Sequence, residues 1–161
     1  LLIGSENPIP GILETVLIHW ERLEIISKAN PPQPNTSLAI SVQALVHLLA
    51  LGGYALPVQK CCRSGVPLTP PLGHWDWRCS LIPEEGFAIG SIKESRMQLN
   101  PSELALLQRL VQPNLPKKRN GQLMGPRDVW LRLLEVVECW INTHLMKKIS
   151  ALKILREALS N

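Results

Sequence analysis

The sequence predicts a mainly α fold, a helical bundle of about five helices with a small, loop-rich, β-containing insert. Leucine dominates an apolar fraction of 45%, whereas Phe and Tyr occur once each, and a β-sandwich would want more aromatic and β-branched residues. Toward both ends of the chain apolar residues recur at three- and four-residue steps, the period of an amphipathic helix. Fourteen prolines and ten glycines break the chain often and crowd its middle. At 161 residues the chain is one ordinary domain, long enough to bury a core, and it shows no internal repeat.

Pro8-Ile9-Pro10 marks the start of the first helix, since proline is tolerated in a first turn. Ile12, Leu13, Val16, Leu17, Trp20, Leu23 and Ile26 then form one stripe, with Glu14, Glu21 and Glu24 mostly off it. This helix should stop near Ala29-Asn30, ahead of Pro31-Pro32, and Pro31 to Thr36 is a loop. Ser37 can cap a second helix running to about Leu51. Its residues are apolar nearly all round, so it should be buried on more than one side, and Gly52-Gly53 ends it. From Tyr54 to about Gln98 prolines and glycines separate short apolar pieces such as Trp77–Ile82 and Phe87–Ile92. That texture predicts two to four short strands or hairpins.

Asn100-Pro101-Ser102-Glu103 is the clearest local signal: Asn caps, Pro takes the first helical position, and Glu reaches back to the cap amide. The helix it opens ends at Gln112-Pro113. The loop Pro116-Lys117-Lys118-Arg119-Asn120-Gly121 follows. Pro126 opens the longest helix, to about Met146, and a final helix is expected from about Ser150.

Composition narrows the function classes. Charged residues make up 19% and the formal net charge is +4. The first 95 residues carry six Lys/Arg against eight Asp/Glu, and the remainder carry eleven against five. The second part is therefore the side expected to face an anionic partner. The longest apolar run, Ala44 to Leu51, is far short of the about 18 residues that span a bilayer, so no membrane association is expected. No signal peptide is evident, and a start at Leu1 rather than Met suggests a fragment. Cysteines at 61, 62, 79 and 139 match no disulfide framework or zinc spacing, and reduced thiols in the cytoplasm are the expectation.

Enzyme chemistry finds little support, because the chain has no nucleophile elbow, P-loop, dinucleotide fingerprint or paired-histidine motif. His74 and Asp76 near Cys79 are the nearest approach to a catalytic group, and no third residue orients them. His47, in an apolar helix, reads as a satisfied core histidine. Glu84-Glu85 read as turn carboxylates. Trp75 and Trp77 could stack nucleobases or cover the core of an insert poor in other hydrophobes; the second is preferred. The basic positions that could meet phosphates or carboxylates are Lys117, Lys118, Arg119, Arg127, Lys147, Lys148 and Arg156. Nothing among them reads base identity, so DNA binding would be sequence-independent. No cofactor is expected.

Four strings together resemble one family, the bacterial recombination mediator RecO. They are the leucine-rich helix ending in Leu51-Gly52-Gly53-Tyr54-Ala55-Leu56-Pro57, then Cys61-Cys62-Arg63-Ser64-Gly65-Val66-Pro67-Leu68, then Glu85-Gly86-Phe87-Ala88-Ile89-Gly90. The last is Leu99-Asn100-Pro101-Ser102-Glu103-Leu104 with the long helix and the tail His144 to Leu152. Their order and spacing across nearly the whole chain carry the resemblance. It implies that residues 1–161 are the C-terminal helical part, without the N-terminal OB-fold of full-length members, and that about 57–97 is a zinc-finger-like insert. The zinc positions are degraded. Where zinc-binding members carry cysteines, this chain has Cys61, Ser64, Gly90 and Lys93, and a structural site needs four ligands. No zinc is expected, and Trp75, Trp77, Phe87 and the prolines should hold the insert instead.

The resemblance further implies a non-enzymatic role in DNA repair and homologous recombination, in the RecF pathway. The family helps RecA replace single-strand-binding protein on single-stranded DNA, together with RecR, and anneals strands. The helical part resembles the portion that docks the acidic, Phe-ended tail of single-strand-binding protein. The basic residues that members place before the Gly-Tyr step are replaced here by Ser41, Gln43 and His47, so the tail site is expected to have moved toward Lys147, Lys148 and Arg156 or to be weak. The alternative is a general protein-interaction helical scaffold without DNA binding, motivated by five tryptophans and lean charge.

Overall fold

The computed structural model describes residues 9–145 together with Glu157 and Ala158. These residues form four helices and one three-stranded sheet: α1 (Ile12–Ser27), α2 (Pro34–Leu51), β1 (Cys79–Ile82), β2 (Gly86–Ile89), β3 (Met97–Leu99), α3 (Pro101–Arg109) and α4 (Arg127–His144). The mainly helical architecture and the β-containing insert are as the sequence predicts. The fifth helix falls mostly outside the described residues, where only Glu157 and Ala158 are seen, helical and exposed.

α1 and α2 pack as an antiparallel pair. Gly11 at the start of α1 faces Leu51 at the end of α2, with 3.8 Å between an added Cβ and Leu51 Cδ2. α2 starts earlier than its serine suggested. Pro34 takes the first turn, Gln33 is the N-cap, and the Ser37 hydroxyl donates back to the Gln33 carbonyl from inside the helix. Proline needs no donor partner there and presets φ, so it wins over the serine cap. By length and mean hydropathy (1.3) this 18-residue helix could cross a bilayer. In the fold Leu38, Ala39, Ile40, Val42, Val46 and Leu49 are buried, so it is the central core helix, longer than the run from Ala44 to Leu51.

α4 lies across α2 and buries Trp130, Leu133, Leu134, Val137 and Ile141 on one stripe. The indole of Trp130 donates to the Met124 carbonyl at 3.0 Å. α3 opens on the expected capping box: Asn100 Oδ1 accepts from the Glu103 amide at 2.9 Å, and the Glu103 carboxylate accepts from the Asn100 amide at 2.8 Å.

The sheet has order β2-β1-β3, both pairs antiparallel. Leu81 faces Phe87 on one side and Met97 on the other. Leu81 and Phe87 are fully buried, so the insert shares the main core instead of forming its own. Three side-chain donors of α4 pin the backbone of the insert and of the residues that flank it: Arg132 to the Gln98 carbonyl (3.1 Å), Trp140 to Tyr54 (2.8 Å) and His144 to Pro83 (2.8 Å). From α3, Gln108 Nε2 donates to the carbonyls of Val58 and Leu68, each at 2.7 Å.

One expectation for the insert is overturned. Trp77 packs partly buried against the core, but Trp75 is 74% exposed. The segment makes two consecutive turns instead of a strand, so residues two apart do not share a face.

Candidate functional site

The basic segment is a small hairpin. Lys117 pairs with Leu123, the Lys118 amide donates to Gln122 at 2.7 Å, and Met124 donates to Pro116 at 2.9 Å. The turn needs Gly121, which sits at φ +81, a conformation an L side chain rarely takes. Lys117, Lys118 and Arg119 are all exposed, and Arg127 is half-buried at the start of α4. Lys147, Lys148 and Arg156 lie outside the described residues.

Beneath Lys117 runs a groove of about 300 Å³ between α1, α2 and the chain before the hairpin. Ile25 and Ile26 of α1, Ile40 of α2 and Leu115 form its apolar wall, and Arg22 and Lys117 bring the cations. It continues under the hairpin into a second hollow of about 460 Å³ that shares Ile26, Thr36, Leu115 and Lys117. Arg22 does not wander. Its guanidinium donates to Gln43 Oε1 at 3.0 Å and to the Pro113 carbonyl at 3.4 Å, and Gln43 Nε2 donates to the Gln112 carbonyl at 2.7 Å. A held guanidinium beside an apolar slot suits a carboxylate attached to an apolar side chain. Of the sequence-predicted cations among the described residues, only Lys117 lines this groove. Sequence reasoning missed Arg22, whose signal was a lone cation on the apolar side of α1.

Behind the groove wall, His19 Nε2 meets His47 Nδ1 at 3.1 Å, and His47 Nε2 meets the Leu110 carbonyl at 2.8 Å. His47 is thus the bonded histidine the sequence suggested. Burial first, then the neighbouring His47 and Arg22, hold the His19 imidazole down at about 4.

In the insert the four degraded zinc positions do not behave alike. Cys61 keeps a tight turn: Gly65, at φ +70, donates its amide to the Cys61 carbonyl at 2.8 Å. Two backbone amides, Ser64 (3.5 Å) and Ile89 (3.4 Å), donate to Cys61 Sγ. Burial raises this thiol, but hydrogen bonds from Ser64, Ile89 and Arg63 outweigh it and bring it to about 7. Gly90, next to Ile89, pairs with Arg78, its amide donating to the Arg78 carbonyl at 2.8 Å. Lys93 is exposed in the following loop. Of the four positions only Cys61 carries a ligating atom of the kind zinc needs, and a structural site takes four. Among the described residues no three His, Cys, Asp or Glu gather as a metal site, so the residues present do not fit zinc.

The other candidates are weaker. Cys79 is fully buried, and burial, with Cys61 and Cys62 nearby, pushes its thiol up to about 12. It is no nucleophile for the exposed His74 and Asp76. Glu84 and Glu85 sit in the exposed β1–β2 turn, where Glu85 pairs with Arg63 at 3.2 Å.

The profile described as "Recombination protein O C terminal" matches residues 23–153. The DNA repair protein RecO of Prochlorococcus marinus (strain MIT 9303) is 65% identical over 159 residues, covering 99% of this chain and 60% of that protein. The protein of the same name from Synechococcus sp. (strain WH7803) is 57% identical, covering 99% and 59%. That from Trichodesmium erythraeum (strain IMS101) is 25% identical over 170 residues, covering 94% and 58%. The chain thus spans about 60% of the length of the curated relatives it matches. No solved structure matches it.

Proposed function

The chain belongs to the RecO family of DNA repair proteins, and from that premise we propose that it is the non-enzymatic, partner-docking part of a cytoplasmic recombination mediator. In this reading the mediator works with RecR to replace single-strand-binding protein by RecA on single-stranded DNA and to anneal strands. This part takes the acidic, Phe-ended tail of single-strand-binding protein. Residues 1–161 then form one helical domain, and about 57–97 is a zinc-finger-like insert that has exchanged its metal for amide–sulfur bonds and shared core.

The groove between Arg22 and Lys117 carries this reading. An apolar terminal side chain fits against Ile25, Ile26, Ile40 and Leu115, while its carboxylates meet two cations. Lys118 and Arg119, exposed on the same hairpin, extend the positive field for acidic residues upstream in such a tail or for phosphates.

The test is fluorescence anisotropy of a labelled acidic, Phe-ended tail peptide titrated with the chain at low and moderate salt. Lys117→Ala and Ile26→Asp should each weaken binding roughly tenfold or more, about the effect of one charge-assisted contact. Loss of binding in the Lys147→Ala/Lys148→Ala pair, with Lys117→Ala silent, would move the tail site beyond His144. No binding at either salt would remove the docking role.

A second reading, a general interaction scaffold without DNA binding, is favoured by α1. Leu13, Trp20 and Ile25 stand 71%, 66% and 69% exposed on it, an apolar surface of the kind partners cover. It requires self-association or an apolar partner and indifference to DNA. A monomer that binds single strands would dismiss it.

A further inference from the structure

Gln43 is the one polar side chain among the buried residues of α2, and both ends of its amide are in use. Nε2 donates to the Gln112 carbonyl at 2.7 Å, and Oε1 accepts from Arg22 Nη1 at 3.0 Å. The Gln112 oxygen can only accept, so the nitrogen end of the amide faces it and the oxygen end is turned toward the guanidinium. The same Nη1 donates to the Pro113 carbonyl at 3.4 Å. Arg22 is therefore held at one nitrogen, by an amide from the core of α2 and by a backbone oxygen. Burying an amide gains little over burying an apolar side chain of its shape. The worth of Gln43 lies in what it holds.

The hold leaves one edge of the guanidinium open. Arginine has five N–H donors in a rigid fork. Nη1 meets the two acceptors, and among the described residues nothing accepts from Nε or Nη2. These two nitrogens donate side by side from one edge of the plane, the arrangement a carboxylate matches with two parallel hydrogen bonds. Among the described residues no carboxylate of this chain pairs with Arg22. Arg22 lines the groove together with Ile25, Ile26 and Ile40, where a ligand would meet that edge.

We propose that Gln43 is a positioning residue of the groove: it fixes Arg22 so that the open edge of the guanidinium stands ready for the carboxylate of a docked peptide. The proposal rests on the docking reading above and adds that the cation works because it is held from α2, not merely because it is positive. An arginine left loose would have to be ordered as the ligand binds, at a cost in affinity; here the fold has ordered it beforehand. Lysine could not take its place, since an ammonium is a point charge without the fork.

The test is anisotropy of the labelled acidic, Phe-ended peptide with the full chain, Gln43→Leu, Arg22→Ala, their pair and Arg22→Lys. Urea midpoints confirm that each variant is folded. Arg22→Ala should weaken binding about tenfold or more, as the loss of hydrogen bonds to a charged group does. Gln43→Leu keeps every charge and should weaken binding about twofold to tenfold, the range for ordering one long side chain. Added to Arg22→Ala, Gln43→Leu should change nothing further, because no guanidinium is left to hold. A residue that only supported the fold would weaken binding alike in both backgrounds, and that result overturns the proposal. So does a Gln43→Leu chain that binds like the parent. Arg22→Lys leaves the core untouched and should bind nearly as poorly as Arg22→Ala. Affinity close to the parent's would mean that charge alone suffices, and it overturns the proposal even where Gln43→Leu fails to fold. A parent chain that binds the peptide while Arg22→Ala is silent removes this role and leaves the docking reading standing. A parent that does not bind removes both.

Discussion

His19 and His47 meet nitrogen to nitrogen at 3.1 Å across the α1–α2 interface, and this contact fixes where their protons lie. A carbonyl only accepts, so His47 Nε2, 2.8 Å from the Leu110 oxygen, carries a hydrogen. His47 Nδ1 is then bare and accepts from His19 Nε2. His19 Nδ1 is left bare as well, and it is buried with no partner. The pair is a one-way chain that needs a neutral His47, and a proton added at His19 Nδ1 would be a buried charge with no acceptor.

Acid should therefore loosen the α1–α2 pair. The His19 imidazole is held at about 4, below its ordinary 6.5. The unfolded chain thus takes up a proton before the folded one does. The stability tied to His19 is fully present above pH 6.5 and falls away as the pH drops toward 4, by about 3 kcal/mol at pH 4. Urea midpoints at pH 7, 5.5 and 4 measure it. In His19→Leu the neutral-pH stability drops about 1–3 kcal/mol, because His47 Nδ1 loses its donor, and the pH dependence flattens by His19's share.

Gln108→Glu should detach the insert before it unfolds the bundle. Its amide donates to two carbonyls, Val58 and Leu68, and a carboxylate there would face both oxygens with no hydrogen to offer. A cost of about 2–3 kcal/mol is expected. Hydrogen exchange at the amides of Cys61 and Leu68, which bond Val66 and Gln59, should speed up more than exchange in α2. Equal acceleration everywhere would mean that the insert and bundle unfold as one unit.

Gly86→Ala should destabilise the chain by about 2 kcal/mol or more. Gly86 sits at φ +120, and an added Cβ would lie 2.7 Å from Pro57 Cγ. Pro57 is exposed between the buried Leu56 and Val58, and even where its ring gives way the positive φ still strains an alanine. A thermal melt reads the loss, and an unshifted midpoint would show that the β1–β2 turn can relax.

Asn100→Ala should cost about 1 kcal/mol, the usual worth of an N-cap. Glu103→Gln should cost less, because the amide oxygen of Gln can still accept from the Asn100 amide. The pair measured as a double-mutant cycle gives the coupling within the box.

What was legible in the sequence is what local chemistry decides. The capping box at Asn100, the stripe of α4 and the break at Gly52-Gly53 all sit within a few residues of their cause. Ser37 misled because Pro34 three residues earlier satisfies the helix start at lower cost. Lys117 was visible as charge, but the groove beneath it is assembled from α1, α2 and Leu115, and no window along the chain holds all three. Arg22 was overlooked for the same reason: its partners, Gln43 and Pro113, lie 21 and 91 residues away. Trp75 was misplaced because alternation assumes a strand, and the prolines with Gly73 make turns.

The three pins of α4 have a mechanical consequence. Arg132, Trp140 and His144 wind through about 120° of a helix that rises about 1.5 Å per residue, so they hold the insert at points spread over about 18 Å of its length. A clamp of that length resists sliding and rocking of the insert against the bundle. Points strung along one helix axis resist roll about that line least. Gln108 stands on a different helix, off that line, and its paired bonds to Val58 and Leu68 take up the roll. A pull applied to the insert is therefore passed to α4 and, through its packing, to α2.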